Sequence, residues 1–132
     1  MTGTLISSSE KKYFFDTYAI IEVIKNNPSY QKYMEEDLLT GVLNYAEFYY
    51  WYLKNKEKAQ SIGWFRKIRD ELLKLEVRDV IEGMKIRFEN IKRKLSFVDC
   101  VGYAMARRRN LLFLTGDPGF RGMPDVEFVS KS

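Results

Sequence analysis

The chain has 132 residues, 45% of them hydrophobic and 30% charged, with a formal net charge of +4. That length suits one domain with a buried core, and that balance excludes a disordered chain. There is no histidine and one cysteine, Cys100, which excludes an intrachain disulfide, cysteine-rich zinc sites, Ser-His-Asp and Cys-His nucleophile systems and imidazole bases. Chemistry must therefore rest on carboxylates, lysines, tyrosines or a metal held by oxygen. No apolar run approaches the roughly 18 residues of a membrane span and the N-terminus lacks a basic-then-apolar leader, so a cytoplasmic protein is expected.

Residues 1–12 are small and polar and read as a loose arm, leaving 13–132 as the domain. Tyr13 to Phe15 predicts a short strand. Thr17 to about Lys25 predicts a helix, with Ala19, Ile20, Val23 and Ile24 on one face. Asn26, Asn27 and Pro28 break it, and Pro28 opens a second short helix. Leu38 to Val42 reads as a strand, followed by an aromatic helix from Asn44 to about Lys54. Lys56 to Leu73 reads as one long helix, with Ile62, Phe65, Ile68, Arg69, Leu72 and Leu73 along a stripe. Leu75 and Val77 suggest a short strand. Asp79 then caps a helix toward Lys92, and Ser96 caps another to about Arg109. Leu111 to Thr115 and Val126 to Val129 are the last strands. Strands alternating with helices imply an α/β fold, a mainly parallel sheet wrapped on both sides.

Two buried strands finish on an acid: YFF runs into Asp16, and LLFLTG delivers Asp117. In parallel α/β sheets, ligands bind beyond the carboxyl ends of the strands. Glu47 lies in the aromatic helix on a stripe shared with Leu43, Tyr50 and Trp51, and Asp99 shares a face with Gly102, Tyr103 and Ala106. Helix capping accounts for each acid singly. Asn44 with Glu47 and Ser96 with Asp99 have capping-box spacing, Asp16 can cap the helix at Thr17, and Asp117 precedes Pro118 as a cap would. Capping does not explain why all four helix starts fall at one end of the sheet. Four carboxylates brought together repel and call for a cation, and oxygen ligation selects Mg²⁺ or Mn²⁺, ions that favour phosphates. The reading is metal-assisted phosphodiester hydrolysis.

The order and approximate spacing of Asp16 in YFFDTYAI, Glu47 in NYAEFYYWY, Asp99 in LSFVDCVGYAMARR and Asp117 in LTGDPGF resemble those of the PIN-domain nucleases, in particular the VapC-like toxins of toxin–antitoxin pairs. The resemblance runs from about Tyr13 to Val129 and is most specific in LSFVDCVGYAMARRRNLLFLTGDPGF. It implies a three-layer α/β/α fold and a Mg²⁺- or Mn²⁺-dependent ribonuclease that acts on RNA, forms a homodimer and is neutralised by an antitoxin covering the active site. Asp16, Glu47, Asp99 and Asp117 would ligate or orient the metal, with Thr17 and Thr115 supporting them. Pro118 and Gly119 depart from the basic or polar pair that many members carry there. Two alternatives remain: a catalytically silent module binding RNA or protein, and a housekeeping RNA-processing nuclease of the same chemistry without an antitoxin.

Tyr45, Phe48, Tyr49, Tyr50, Trp51 and Tyr52 make one helix aromatic nearly all round, so it should be covered by core on one side and by another chain on the rest. Arg107, Arg108 and Arg109 close a helix, where cations oppose its dipole favourably. Lys85, Arg87, Lys92, Arg93 and Lys94 lead directly into Ser96 and Asp99 and are the candidates for substrate binding. Cys100 reads as a small core residue.

Overall fold

The computed structural model describes residues 11–58 and 63–130, so most of the expected arm and Ile62 of the expected long helix lie outside the described residues. Five strands form: β1 (Tyr13–Phe15), β2 (Thr40–Gly41), β3 (Leu72–Leu73), β4 (Leu112–Thr115) and β5 (Val126–Phe128). Between them run helices α1 (Thr17–Ile24), α2 (Val42–Lys54), α3 (Gly63–Asp70), α4 (Val77–Glu89) and α5 (Phe97–Arg108). Short 3₁₀ turns cover Pro28–Tyr33, Lys56–Lys58, Ile91–Arg93 and Pro118–Phe120.

All strand pairs are parallel. β4 lies between β1 and β5, with Phe15 opposite Leu114 and Thr115 opposite Phe128. β2 pairs with β3. A parallel bridge between Phe14 and Leu39 and the 2.8 Å bond from Phe15 N to Leu39 O join the two groups, giving the order β3-β2-β1-β4-β5. Side chains alternate across this sheet as a strand requires. Phe15 and Leu114 pack with Ala19, Ile20, Val23 and Phe48 on the face covered by α1 and α2. Phe14 and Phe113 pack with Val101, Tyr103 and Met105 on the face covered by α5. The result is the expected three-layer α/β/α sandwich.

Several expected boundaries move, and at β3 a contact distant in sequence outranks a local pattern. The strand placed at Leu38–Val42 contracts to Thr40–Gly41, and α2 starts at Val42 rather than at Asn44. At Gly41 a Cβ would sit 2.9 Å from Met105 Sδ, so a side chain there would require Met105 to shift. The long helix expected to Leu73 ends at Asp70, because Leu72 and Leu73 are drawn into backbone pairing with β2. Leu75 and Val77 are accordingly not a strand. Asp79 is not the cap of α4; Glu76 holds that position, and Asp79 Oδ2 accepts a bond from Glu76 N at 2.8 Å. α4 ends at Glu89, short of Lys92.

α4 and α5 approach closely at Gly83, where a Cβ would fall 2.8 Å from the Val101 Cα and 3.0 Å from its nitrogen. Backbone cannot yield as a side-chain tip can. Gly83→Ala is therefore expected to lower stability by about 1–3 kcal/mol in urea unfolding despite alanine's better helix propensity. Unchanged or raised stability would mean that the two helices are free to separate.

Candidate active site

Asp16 is the first residue beyond β1, and its position follows from the sheet. Its backbone N bonds to Leu114 O at 3.1 Å, which sets it beside Thr115 at the end of the neighbouring strand. Its Oδ1 accepts from Ala19 N at 2.8 Å, capping α1, and its Oδ2 accepts from Thr115 Oγ1 at 2.5 Å. Thr115 Oγ1 in turn accepts from Asp117 N at 3.0 Å, so one buried hydroxyl ties the two acids together. Asp117 caps the turn Pro118–Phe120 through Gly119 N, 2.9 Å from its Oδ1. The proline in the first position is pre-set for such a turn.

Asp99 reaches the same edge from α5. It closes the capping box with Ser96: Ser96 N donates to Asp99 Oδ2 at 2.8 Å, and Asp99 N donates to Ser96 Oγ at 3.0 Å. Glu47 is exposed on α2 and is linked to α1 by Thr17, whose Oγ1 donates to Glu47 Oε1 at 2.6 Å. Behind Thr17 stands Asn44, which is buried and donates through Nδ2 to the Thr17 oxygen at 3.2 Å. Asn44 therefore fixes the direction of the Thr17 hydroxyl and, through it, one oxygen of Glu47. Sequence reasoning took Asn44 for a helix cap and missed this; the signal was a short polar side chain in an otherwise aromatic helix.

Asp16, 2% exposed, has its carboxyl pushed up to about 8 by burial, against the bonds from Thr115 and Ala19, with the charges of Asp99 and Asp117 adding to the rise. The Asp99 carboxyl is also raised, first by burial, partly offset by its bonds to Ser96, with Asp117 contributing repulsion. Asp16, Asp99 and Asp117 therefore lie within one another's fields. Among the described residues, no lysine or arginine forms an ion pair with these three or with Glu47.

An all-oxygen acidic donor set in which the Asp16 and Asp99 carboxyls are raised, with no cation paired to it among the described residues, suits a hard divalent ion. Among the described residues, however, no three carboxylates or thiols converge closely enough to hold an ion as they stand. Like charges with nothing between them remain apart, and simultaneous ligation requires their side chains to turn inward.

The basic residues separate into distinct settings. Arg93 Nη1 donates to Gly119 O and to Arg121 O, both at 2.9 Å, and Arg87 Nε donates to Leu95 O at 3.2 Å. Lys85 lies 3.6 Å from Glu82. Lys92 is exposed. Lys94, Arg87, Ile91, Leu95 and Ser96 line a cleft of about 320 Å³ next to the start of α5. The run at the end of α5 faces away from the acids: Arg107 pairs with Asp125 at 3.1 Å, and Arg108 and Arg109 converge on Asp79. Cys100 is buried, as expected.

Fold and site together define a parallel α/β protein with an acidic centre at the carboxyl edge of its sheet. Residues 13–126 match the family model described as PIN domain, and the chain belongs to that family. A search of curated proteins finds no match. Among solved structures the chain is similar to a toxin–antitoxin complex from Klebsiella pneumoniae, with a TM-score of 0.71 at 17% identity over 88% of this chain and 96% of that one. It is also similar to VapBC2 from Rickettsia felis bound to a DNA fragment from their promoter, with a TM-score of 0.62, 17% identity and 89% and 98% of the two chains covered. PAE2754 from Pyrobaculum aerophilum gives 0.60, 16%, 89% and 90%. At these identities the likeness concerns the fold. No helix among the described residues is long and apolar enough to cross a membrane.

Proposed function

We propose that the protein is a metal-dependent endoribonuclease, the toxin of a toxin–antitoxin pair. The observation that carries this reading is the buried Asp16, bonded to Thr115 and the Ala19 amide at the end of β1, with Asp99 and Asp117 in its field and, among the described residues, no lysine or arginine paired with any of the three. Membership of the PIN domain family supports the nuclease chemistry, and the toxin–antitoxin complexes among the similar structures support an antitoxin as partner.

Asp16, Asp99 and Asp117 would hold Mg²⁺ or Mn²⁺, and Glu47 would complete the charge from the Thr17 side. The ion, when bound, supplies positive charge that polarises a phosphate and eases deprotonation of the attacking water. The protein's own part is orientation. Thr115 and the Ala19 amide fix both oxygens of Asp16, Ser96 fixes Asp99, Thr17 and Asn44 aim Glu47, and the Gly119 amide fixes Asp117. The cleft holding Lys94 and Arg87 beside Ser96 is suited to the RNA backbone on either side of the scissile bond. Exposed Tyr50 and Leu53 on α2, and Val77, Ile81 and Phe88 on α4, suit cover by a second copy or by the antitoxin.

The test is cleavage of a defined RNA with Mg²⁺ or Mn²⁺. EDTA is expected to abolish it, and Asp99→Asn to slow it by roughly 10²-fold or more. Cleavage indifferent to chelator would overturn the metal mechanism. Absence of both cleavage and calorimetric Mn²⁺ binding would favour a silent binding module instead.

A further inference from the structure

Asp99 and Asp117 hang from different parts of the chain, one in the first turn of α5 and the other on the loop after β4. The sheet relates them through the packing of α5 on β4 and the bond from Asp117 N to Thr115 Oγ1, but neither contact holds the turn after Asp117 to the start of α5. The loop after β4 satisfies part of its own backbone: the carbonyls of Asp117, Pro118 and Phe120 accept from the amides of Phe120, Arg121 and Met123. The carbonyls of Gly119 and Arg121 are instead both taken by Arg93 Nη1, at 2.9 Å each. A cation binding carbonyls of a turn from outside holds that turn to the cation's own segment.

That segment is the one that starts α5. Lys94, in the left-handed region at φ +57°, bends the chain from Arg93 toward Leu95, and Ser96 then caps the helix bearing Asp99. The two pieces also touch. A Cβ on Gly119 would lie 2.8 Å from Leu95 Cδ2 and 3.4 Å from Arg93 O, so the turn packs directly against this segment.

We propose that Arg93 is a positioning residue: its guanidinium splints the Asp117 turn to the start of α5 and so sets the spacing of Asp117 from Asp99. It does this in place of the RNA contact that its basic neighbourhood suggests. The inference rests on the nuclease reading for its consequence, but the splint itself can be observed without it. Lysine keeps the charge, but its nitrogen stands one bond short of the Nη1 that binds both carbonyls, so Arg93→Lys separates the two roles.

Arg93→Lys and Arg93→Gln are compared with Lys94→Gln by amide hydrogen exchange, Mn²⁺ calorimetry, RNA binding in EDTA and steady-state cleavage. Both Arg93 variants are expected to exchange the Gly119 and Phe120 amides, which bond to Asp117, about tenfold faster or more. Both should bind Mn²⁺ and turn over RNA about 10–100-fold more weakly and slowly, through kcat, with RNA affinity within about twofold of the native chain. Lys94→Gln should leave exchange and Mn²⁺ binding unchanged. The proposal is overturned if exchange at Gly119 and Phe120 is unaltered in both Arg93 variants, or if Arg93→Gln loses RNA affinity that Arg93→Lys retains while Mn²⁺ binding stays native. Should the native chain neither bind Mn²⁺ nor cleave RNA, the nuclease reading fails while exchange still decides the splint.

Discussion

Asp16→Asn is expected to cleave RNA roughly 10³-fold more slowly than the native protein and, without metal, to be the more stable of the two. Both effects have one cause. An unfolded aspartate ionises near pH 4, whereas burial pushes the folded Asp16 carboxyl up to about 8. Between those values the folded chain keeps a proton that the unfolded chain has lost. The contribution of Asp16 to the stability of the metal-free native protein therefore falls as pH rises from about 4 to about 8, and levels off above that. Asparagine has no charge to bury and can still accept from Ala19 N, so it escapes the loss. The difference should reach about 2–4 kcal/mol at pH 8 and vanish at pH 4. A divalent ion competes with the proton, so Mn²⁺ should stabilise the native chain increasingly with pH and the variant little. Thermal melts from pH 4 to 9, with and without Mn²⁺, decide the matter. Parallel pH profiles for the two proteins would show that Asp16 is an ordinary ionised cap.

Legibility in the sequence followed the range of the interaction responsible. β1, α1, the start of α5 and β4 lie where expected to within a residue, because each is bounded by a local signal: Asp16 capping at Ala19, Ser96 with Asp99, and an apolar run stopped at Thr115. The same short-range bonds explain why acids could be picked out at strand ends, since a cap must stand at a helix start. What escaped was set by partners far away in the chain. β3 exists only because Leu72 and Leu73 meet β2. Asn44 was hidden because its role depends on Thr17, and Arg93 because its partners are carbonyls, which leave no trace in residue type.

Asp79 shows how partners separate acids that look alike in sequence. Asp79 and Asp99 occupy the same third position of a helix, each bonded to the amide three residues before it. Asp99 has no basic partner among the described residues and its carboxyl is raised. Asp79, fully buried, meets Arg108 Nη1 at 2.6 Å and both terminal nitrogens of Arg109 at 2.9 and 3.0 Å. Burial alone would raise its carboxyl, but Arg109, the Glu76 amide and Arg108 outweigh burial and bring it down to about 2.

Removing this acid leaves two guanidinium groups beside the start of α4 with only the half-exposed Glu76, 3.3 and 3.5 Å from them, as shared counter-charge. Asp79→Ala is therefore expected to cost about 3 kcal/mol at pH 7, the low end of the range for breaking one side of a buried pair, because Glu76 still faces both arginines. A depressed carboxyl contributes stability that is complete above about pH 4 and is lost as pH falls through about 2, so the gap between native and variant should close on acidification across that window. Urea unfolding at pH 7, 4 and 2 measures both the size and the closing of the gap. Well below its melting temperature the Asp79→Ala protein should still cleave RNA at a near-native rate, because Asp79 joins the far end of α5 to α4 while Asp99 works from the near end. A stable Asp79→Ala protein that has lost cleavage would reverse the roles assigned to these two acids.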